Sequence, residues 1–246
     1  KKLLITYRKQ SMIKWNKKFK YPKTIREAIE GQRHYIINEE KLPSVTTILQ
    51  ATQSEEKKAS LQNWMKRVGS DNAEHIKNTA ANRGSIMHHI IESYLLEARH
   101  ADLSDIGVQA GAMAEIIYNE GLEGCMDEIW GSEVALYYPG LYAGATDLVG
   151  VYEGSEAIVD FKQSNKFKKR EWVEDYFVQL VAYAMAHNTV YGSKINKGVV
   201  LMCTKDKQFQ KFVIEGREFN RYVWQWLRRV DEYYGQKVSK VGQEAS

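Results

Sequence analysis

Asp147, Asp160 and Lys162 fall within TDLVGVYEGSEAIVDFKQS (146–164), which otherwise reads as two apolar strands joined by a tight turn. With Gly154-Ser155 as the turn, residue 147 lies opposite 162 and residue 149 opposite 160. Side chains alternate along a strand, so Asp147, Asp160 and Lys162 share one face with Val149, Val151 and Ile158. Leu148, Tyr152, Val159 and Phe161 make the other face. Both faces are apolar, as in a strand covered on both sides, and unpaired carboxylates there are costly. Three arrangements resolve the conflict: the acids reach water at the sheet rim, Lys162 neutralises one of them, or they hold a divalent cation. Clustered carboxylates suit Mg²⁺ or Mn²⁺. A lysine beside such a cation orients water or stabilises a pentavalent transition state.

The elements that must position these residues follow from periodicity and punctuation. Residues 24–30 read as a short helix, and 33–45 as a hairpin turning near Asn38. Ser44 reads as the N-cap of the helix that follows. Residues 55–67, 71–81, 83–99 and 105–120 read as four helices. The pattern then changes to a strand at 130–138, a turn at Pro139-Gly140 and the hairpin above. A helix at 171–188, strands at 197–204 and 210–216, and a last helix at 218–237 complete the plan. Trp224 and Trp226 read as core and surface cover, and Tyr176 as helix packing, with base stacking as the less favoured role. The expected class is α/β, a central mixed sheet flanked by helices with a helical N-terminal addition. The expected division is one domain over 1–246, with a basic arm, hairpin and helices in 1–82 and the core in 83–237.

Composition narrows the function classes. Of 246 residues, 43% are hydrophobic and 27% charged, which suits a folded soluble chain. No apolar run is long enough to span a bilayer, so no membrane partner is expected. Cys125 and Cys203 are too few for a disulfide framework, a four-thiolate metal site or an iron–sulfur cluster. The net charge is +4, but from Lys1 to Arg26 there are ten Lys or Arg and no acid. A second basic cluster holds Lys166, Lys168, Lys169 and Arg170. Such clusters fit a polyanion or a plain solvated face.

The motifs converge on a family resemblance. Asp147, followed by Asp160-Phe161-Lys162, fits the D…(D/E)xK pattern of the PD-(D/E)xK nuclease superfamily. Gly84 and His88 form a GxxxH on the preceding helix, and Gln179 and Tyr183 a QxxxY on the following one, each pair on one helix face. In that order they resemble the RecB-like exonuclease branch. Five separated blocks between about residues 33 and 234 are similar to the mitochondrial genome-maintenance exonucleases and their tailed-phage relatives: LPSVTTILQ, GSIMHHIIESYL, YAGATDLVGVYEG, IVDFKQS and WQWLRRVDEYY.

The resemblance implies a PD-(D/E)xK core and metal-dependent hydrolysis of single-stranded DNA from a free end, by a monomer. It implies Mg²⁺ or Mn²⁺ bound by His88, Asp147, Asp160 and the Phe161 carbonyl, with Asp147 and Asp160 catalytic alongside Lys162. Gln179 and Tyr183 would meet the DNA backbone, with the basic cluster as a DNA contact. Glu133 is a further candidate, as an extra ligand or as an acid supporting the ligands, since the fold often has a Glu there. Ser44 offers either a phosphate contact at a helix start or a plain cap. Thr146 replaces the Pro of the superfamily name, and Gln163 stands where Thr or Ser is expected, which affects how the site or DNA is held. Two other readings remain, a duplex endonuclease of the same superfamily and an inactive nucleic-acid-binding module. The expected compartment is the cytoplasm of a bacterial or phage-infected cell, with the mitochondrial matrix as alternative if a presequence has been removed.

Overall fold

The computed structural model describes residues 13–29, 31–98 and 102–244, with only helical backbone from 237 onward. The first part of the basic arm therefore lies outside the described residues. In chain order the elements begin with β1 (Lys14–Trp15), β2 (Ile25–Ile29), β3 (Gln32–Ile37) and β4 (Glu40–Pro43). Four helices follow: α1 (Val45–Ala51), α2 (Glu55–Val68), α3 (Ser70–Leu95) and α4 (Asp105–Ile117), the last running into a π-helical turn at Tyr118–Leu122. The rest comprises β5 (Met126–Tyr138), β6 (Tyr142–Tyr152), β7 (Ser155–Ser164), a 3₁₀ turn (Arg170–Trp172), α5 (Glu174–Tyr191), β8 (Lys197–Thr204), β9 (Phe209–Glu215) and α6 (Gly216–Glu244).

Six strands form one mixed sheet in the order β1-β5-β6-β7-β8-β9, and β2-β3-β4 form a separate three-stranded sheet. β7 and β8 are parallel, so the chain must cross over between them, and α5 makes that crossover. The large sheet is covered on both sides. Val149, Ile158 and Val200 pack with α5 and α6 residues, including fully buried Trp226. Leu148, Tyr152, Val159 and Phe161 pack on the other side with Met87, Ile91 and Met113 of α3 and α4. This central mixed sheet flanked by helices is the layout that the nuclease resemblance implies. No helix among the described residues is long and apolar enough to cross a membrane.

The structure departs from the sequence reading in two places here. Residues 24–30 do not form a helix: Ile25–Ile29 is a strand paired antiparallel with β3. So short a segment cannot sustain a helix by itself, and the neighbouring strand supplies hydrogen bonds that a lone helical turn lacks. The expected helices at 71–81 and 83–99 are one continuous helix, α3. Gly84 interrupts nothing. Its missing side chain lets Gln163 of β7 approach, with Gln163 Cγ 3.4 Å from where a Cβ would be.

That close approach is locked by Arg83. Its guanidinium is buried and bonds Gln163 Oε1 twice, at 3.0 and 2.6 Å. It also donates to Gln109 Oε1 of α4 at 2.9 Å and to Asn165 Oδ1. Gln163 in turn donates from Nε2 to the Ala80 carbonyl at 3.0 Å. Gln163, where Thr or Ser was expected, is therefore the acceptor that joins β7 to α3. A fork geometry of this kind is specific to arginine. Replacing Arg83 by Ala strands several half-buried amide oxygens and should cost roughly 2 kcal/mol of stability. The urea midpoint should fall accordingly, with Arg83→Lys recovering only part of it.

His187 anchors the strap that precedes the small sheet. It is fully buried, with Nε2 3.1 Å from Tyr21 Oη and Nδ1 2.6 Å from Ser193 Oγ. Phe19 and Tyr191 rings lie at 4.9 and 4.7 Å. Burial, aided by nearby Lys18, lowers the His187 pKa to about 4. The unfolded chain takes up this proton near pH 6.5 and the folded chain only near 4. Stability from this group is therefore complete above pH 6.5 and lost as the pH falls towards 4, by roughly 3 kcal/mol. Urea midpoints measured between pH 7 and 4 should fall less steeply in His187→Gln than in the parent.

Candidate active site

The hairpin turn is Glu153-Gly154, not Gly154-Ser155. Both turn residues have positive φ, 47° and 75°, the combination of a type I′ turn. Tyr152 therefore pairs with Ser155 and Leu148 with Val159. This register differs from the expected one by two residues, and a two-residue shift leaves every side chain on its own face. The face assignment therefore holds.

Beyond Leu148 and Val159 the β6–β7 ladder stops, and the polar residues sit in the opening. Asp147 Oδ2 accepts the Phe161 backbone N–H at 2.6 Å, so a carboxylate takes the place of a ladder bond. On the other side of β6, Ser132 pairs with Leu148 and Val134 with Thr146, which sets Glu133 opposite Asp147. Glu133 has φ of 51°, left-handed backbone that L side chains resist. It follows a register shift between Ile129 and Gly131, and such irregularities re-aim side chains beside functional sites.

From α3, His88 reaches into the same opening. Its Nε2 lies 2.9 Å from the Phe161 carbonyl, and its Nδ1 is 3.3 Å from Asp147 Oδ1 and 3.7 Å from Glu133 Oε1. Burial alone would lower the His88 pKa, but Asp147 and Glu133 outweigh it and push it up to about 10. Both ring nitrogens then carry protons and donate. Asp147 is desolvated too, yet His88 and Lys162 hold its pKa below the usual value. Asp160 Oδ2 contacts Lys162 Nζ as an ion pair and takes no other hydrogen bond. Burial, with Asp147 beside it, raises Asp160 to about 6 despite Lys162. For Lys162, burial opposes the charge, but Asp160 and Asp147 prevail and raise its pKa. It remains an ammonium, 5.0 Å from the Tyr176 ring centroid.

Donor atoms of His88, Glu133 and Asp147 all lie within 4.8 Å of one another. A nitrogen and carboxylate oxygens so close together fit a hard divalent cation, and a strained backbone that presents Glu133 to this cluster fits the same purpose. Asp160 stands apart from the trio, tied to Lys162, and the Phe161 carbonyl is taken by His88. An open cleft of about 650 Å³ gives access, lined by Gly84, His88, Glu133, Lys162, Gln163 and Tyr176, among others.

The remaining expected residues scatter. Tyr183 is buried, its hydroxyl accepting from Gln179 Nε2 at 3.0 Å, and its ring fills the space left by Gly144. Tyr176, two turns before Tyr183, is the α5 residue that lines the cleft, although its spacing favours packing over base stacking. Lys166, Lys169 and Arg170 are exposed and Lys168 half-buried. Arg170 is committed to Glu218 at 2.7 Å and to the Val213 carbonyl. Ser44 is buried and caps α1, accepting from Thr47 N at 3.0 Å. Sequence reading missed Arg83. The signal was an arginine beside GxxxH that the motif does not use.

Curated proteins similar to the chain are mitochondrial genome maintenance exonuclease 1 from Homo sapiens and from Xenopus tropicalis. The human protein is 27% identical over 218 residues, 81% of this chain and 60% of its own length. The Xenopus protein is 28% identical over 217 residues, 82% of this chain and 60% of its own. The chain thus spans about 60% of the length of these relatives. No protein-family model matches it. Among solved structures, a Eubacterium rectale protein provisionally assigned as an exonuclease covers 64% of this chain and 65% of its own, at 19% identity and a TM-score of 0.47. The alkaline exonuclease of Laribacter hongkongensis covers 64% and 85%, at 14% identity and a TM-score of 0.30. By sequence, the chain resembles the mitochondrial genome maintenance exonucleases over most of its length.

Proposed function

We propose that the chain is a metal-dependent exonuclease that hydrolyses phosphodiesters of single-stranded DNA from a free end, without sequence preference. The observation that carries this reading is the His88–Glu133–Asp147 cluster beside the Asp160–Lys162 pair at one open cleft. His88, Glu133 and Asp147 would hold Mg²⁺ or Mn²⁺, with Asp160 and the Phe161 carbonyl adjacent. When bound, that cation supplies Lewis acidity towards phosphate oxygens and makes water a better nucleophile.

The chain's own residues do the rest. Lys162, kept charged by its carboxylate neighbours, stabilises negative charge that builds on the phosphoryl oxygens. It serves as an electrostatic group rather than a base, since a raised pKa disfavours proton uptake from water. Asp160 aims the ammonium. Asp147 and the Phe161 peptide fix His88 in the orientation a ligand needs. Lys166, Lys168 and Lys169 are the available phosphate contacts, while Gln179 and Tyr183 support the α5 wall behind Tyr176. No base-reading motif is visible in the sequence, which favours sequence-neutral cutting. The relatives are mitochondrial, which favours the matrix as compartment.

Linear single-stranded, linear duplex and circular single-stranded DNA, each with Mg²⁺, Mn²⁺ or EDTA, test the proposal directly. The expected result is metal-dependent loss of the linear single strand alone. Lys162→Ala should slow it by roughly 10²–10³-fold and leave Mn²⁺ binding measurable by calorimetry. Cutting of the circle would replace the reading with an endonuclease. Binding without cutting of any substrate would replace it with an inactive binding module.

Glu133 offers a second check. Glycine relieves left-handed strain of about 1 kcal/mol, so Glu133→Gly should raise the melting temperature slightly. The same variant should bind Mn²⁺ roughly tenfold or more weakly. A melting temperature and an affinity that fall together would argue that Glu133 serves structure alone.

A further inference from the structure

α2 is a helix without a core. None of its residues is buried, yet Leu61, Trp64 and Val68 recur at helical spacing along it. Leu61 is 45% exposed. Across a groove of about 1040 Å³ stands Trp172, which is 59% exposed and belongs to the 3₁₀ turn before α5. Leu61, Trp64, Arg67, Lys168, Trp172 and Tyr176 are among the residues that line this groove. Tyr176 also lines the catalytic cleft. The groove therefore begins where the cleft ends, with Lys162 Nζ over the shared Tyr176 ring.

Charge in the groove is close to balanced. Asp175 is neutralised by Lys57 at 2.7 Å and Arg229 at 3.0 Å. Glu56, Glu171, Arg67 and Lys168 share the same lining, and Lys169 sits 5.5 Å from the Trp172 ring centroid. Phosphate attraction alone would not hold a polyanion here. Flat aromatic faces would hold bases, because every base has a π-face and stacking is indifferent to sequence.

We propose that this groove carries the part of a DNA single strand adjoining the scissile phosphate, with bases stacked on Trp172 and Trp64. The inference rests on the nuclease reading above, since a strand is the occupant that must leave the cleft past Tyr176. A duplex keeps its bases paired and stacked on one another, so it offers these tryptophans no faces. The groove thus selects single strands by aromatic contact next to the chemistry.

The test separates the groove from the nuclease. Binding of fluorescent oligo-dT is measured in EDTA by anisotropy for the parent, Trp172→Ala and Trp64→Ala. An abasic deoxyribose-phosphate oligomer of equal length runs in parallel. Stacking lost at one base should weaken oligo-dT binding roughly tenfold. Abasic binding, the salt dependence of affinity and the melting temperature should not change in Trp172→Ala, whose ring is mostly in solvent. Turnover of a small phosphodiester, thymidine 5′-p-nitrophenyl phosphate, should not change either, as it has no strand to fill the groove. Equal losses on oligo-dT and abasic oligomer, no loss on oligo-dT, or a parallel fall in small-diester turnover would each overturn the proposal. Stacking-dependent binding by a parent protein that cuts nothing would leave the groove standing and remove the nuclease. Cutting of linear strands with no effect of either tryptophan would do the reverse.

Discussion

The backbone of Phe161 is the junction on which the site depends. Its N–H goes to Asp147 at 2.6 Å and its carbonyl meets His88 Nε2 at 2.9 Å. Three elements, β6, β7 and α3, are thereby tied through the backbone N–H and carbonyl of a single residue. The junction exists only because β6 and β7 part after Leu148 and Val159. Had the ladder continued, the Phe161 N–H would have been spent on β6 backbone and Asp147 would have had nothing to accept from. The departure from regular sheet creates both the space and the donor.

Holding that opening in place is the work of residues away from it. α3 must lie at one height on β7 for His88 to find the Phe161 carbonyl. Arg83 sets that height from five residues before His88, through Gln163 and Ala80. The arginine's acceptors are neutral amide oxygens, so it brings a full positive charge close to the cleft without cancelling it. Glu133 shows the opposite economy: a residue in unfavourable backbone, held between Ser132 and Val134, which both pair with β6. Stability is surrendered at one position and secured by the ladder around it.

Much of this plan is legible in the sequence, for identifiable reasons. The faces of the hairpin follow from period-two alternation, which survives a two-residue error in the turn. Asp147, Asp160, Lys162 and His88 stand out as polar residues in apolar surroundings, at spacings that put each on the right element. The turn itself is not legible, because Glu153 gives no sign that it will adopt positive φ. Glu133 is legible as a candidate but not as a neighbour of His88, since a strand irregularity leaves no mark in the residue pattern. The 24–30 segment is misread because its partner strand, not its own propensity, decides its form. Tyr176 looks like packing because helical spacing cannot distinguish a wall that meets the core from one that meets a cleft.

The electrostatics of the cleft impose an order on what can enter it. Asp147, Asp160 and Glu133 bring three carboxylates, and His88 and Lys162 bring two cations already engaged with them. A phosphodiester approaching this group meets net negative charge in a partly desolvated place, where repulsion is weakly screened. On the proposed reading a divalent cation reverses that sign, so cation and DNA each improve the other's binding by the same factor. The cation must also displace the proton that Asp147 and Glu133 hold on His88, because a metal ligand needs the neutral ring. The same carboxylates thus strengthen both rivals for one imidazole nitrogen. On that reading a doubly charged ion would prevail over the proton because it would engage all three donors at once, whereas the proton sits on one.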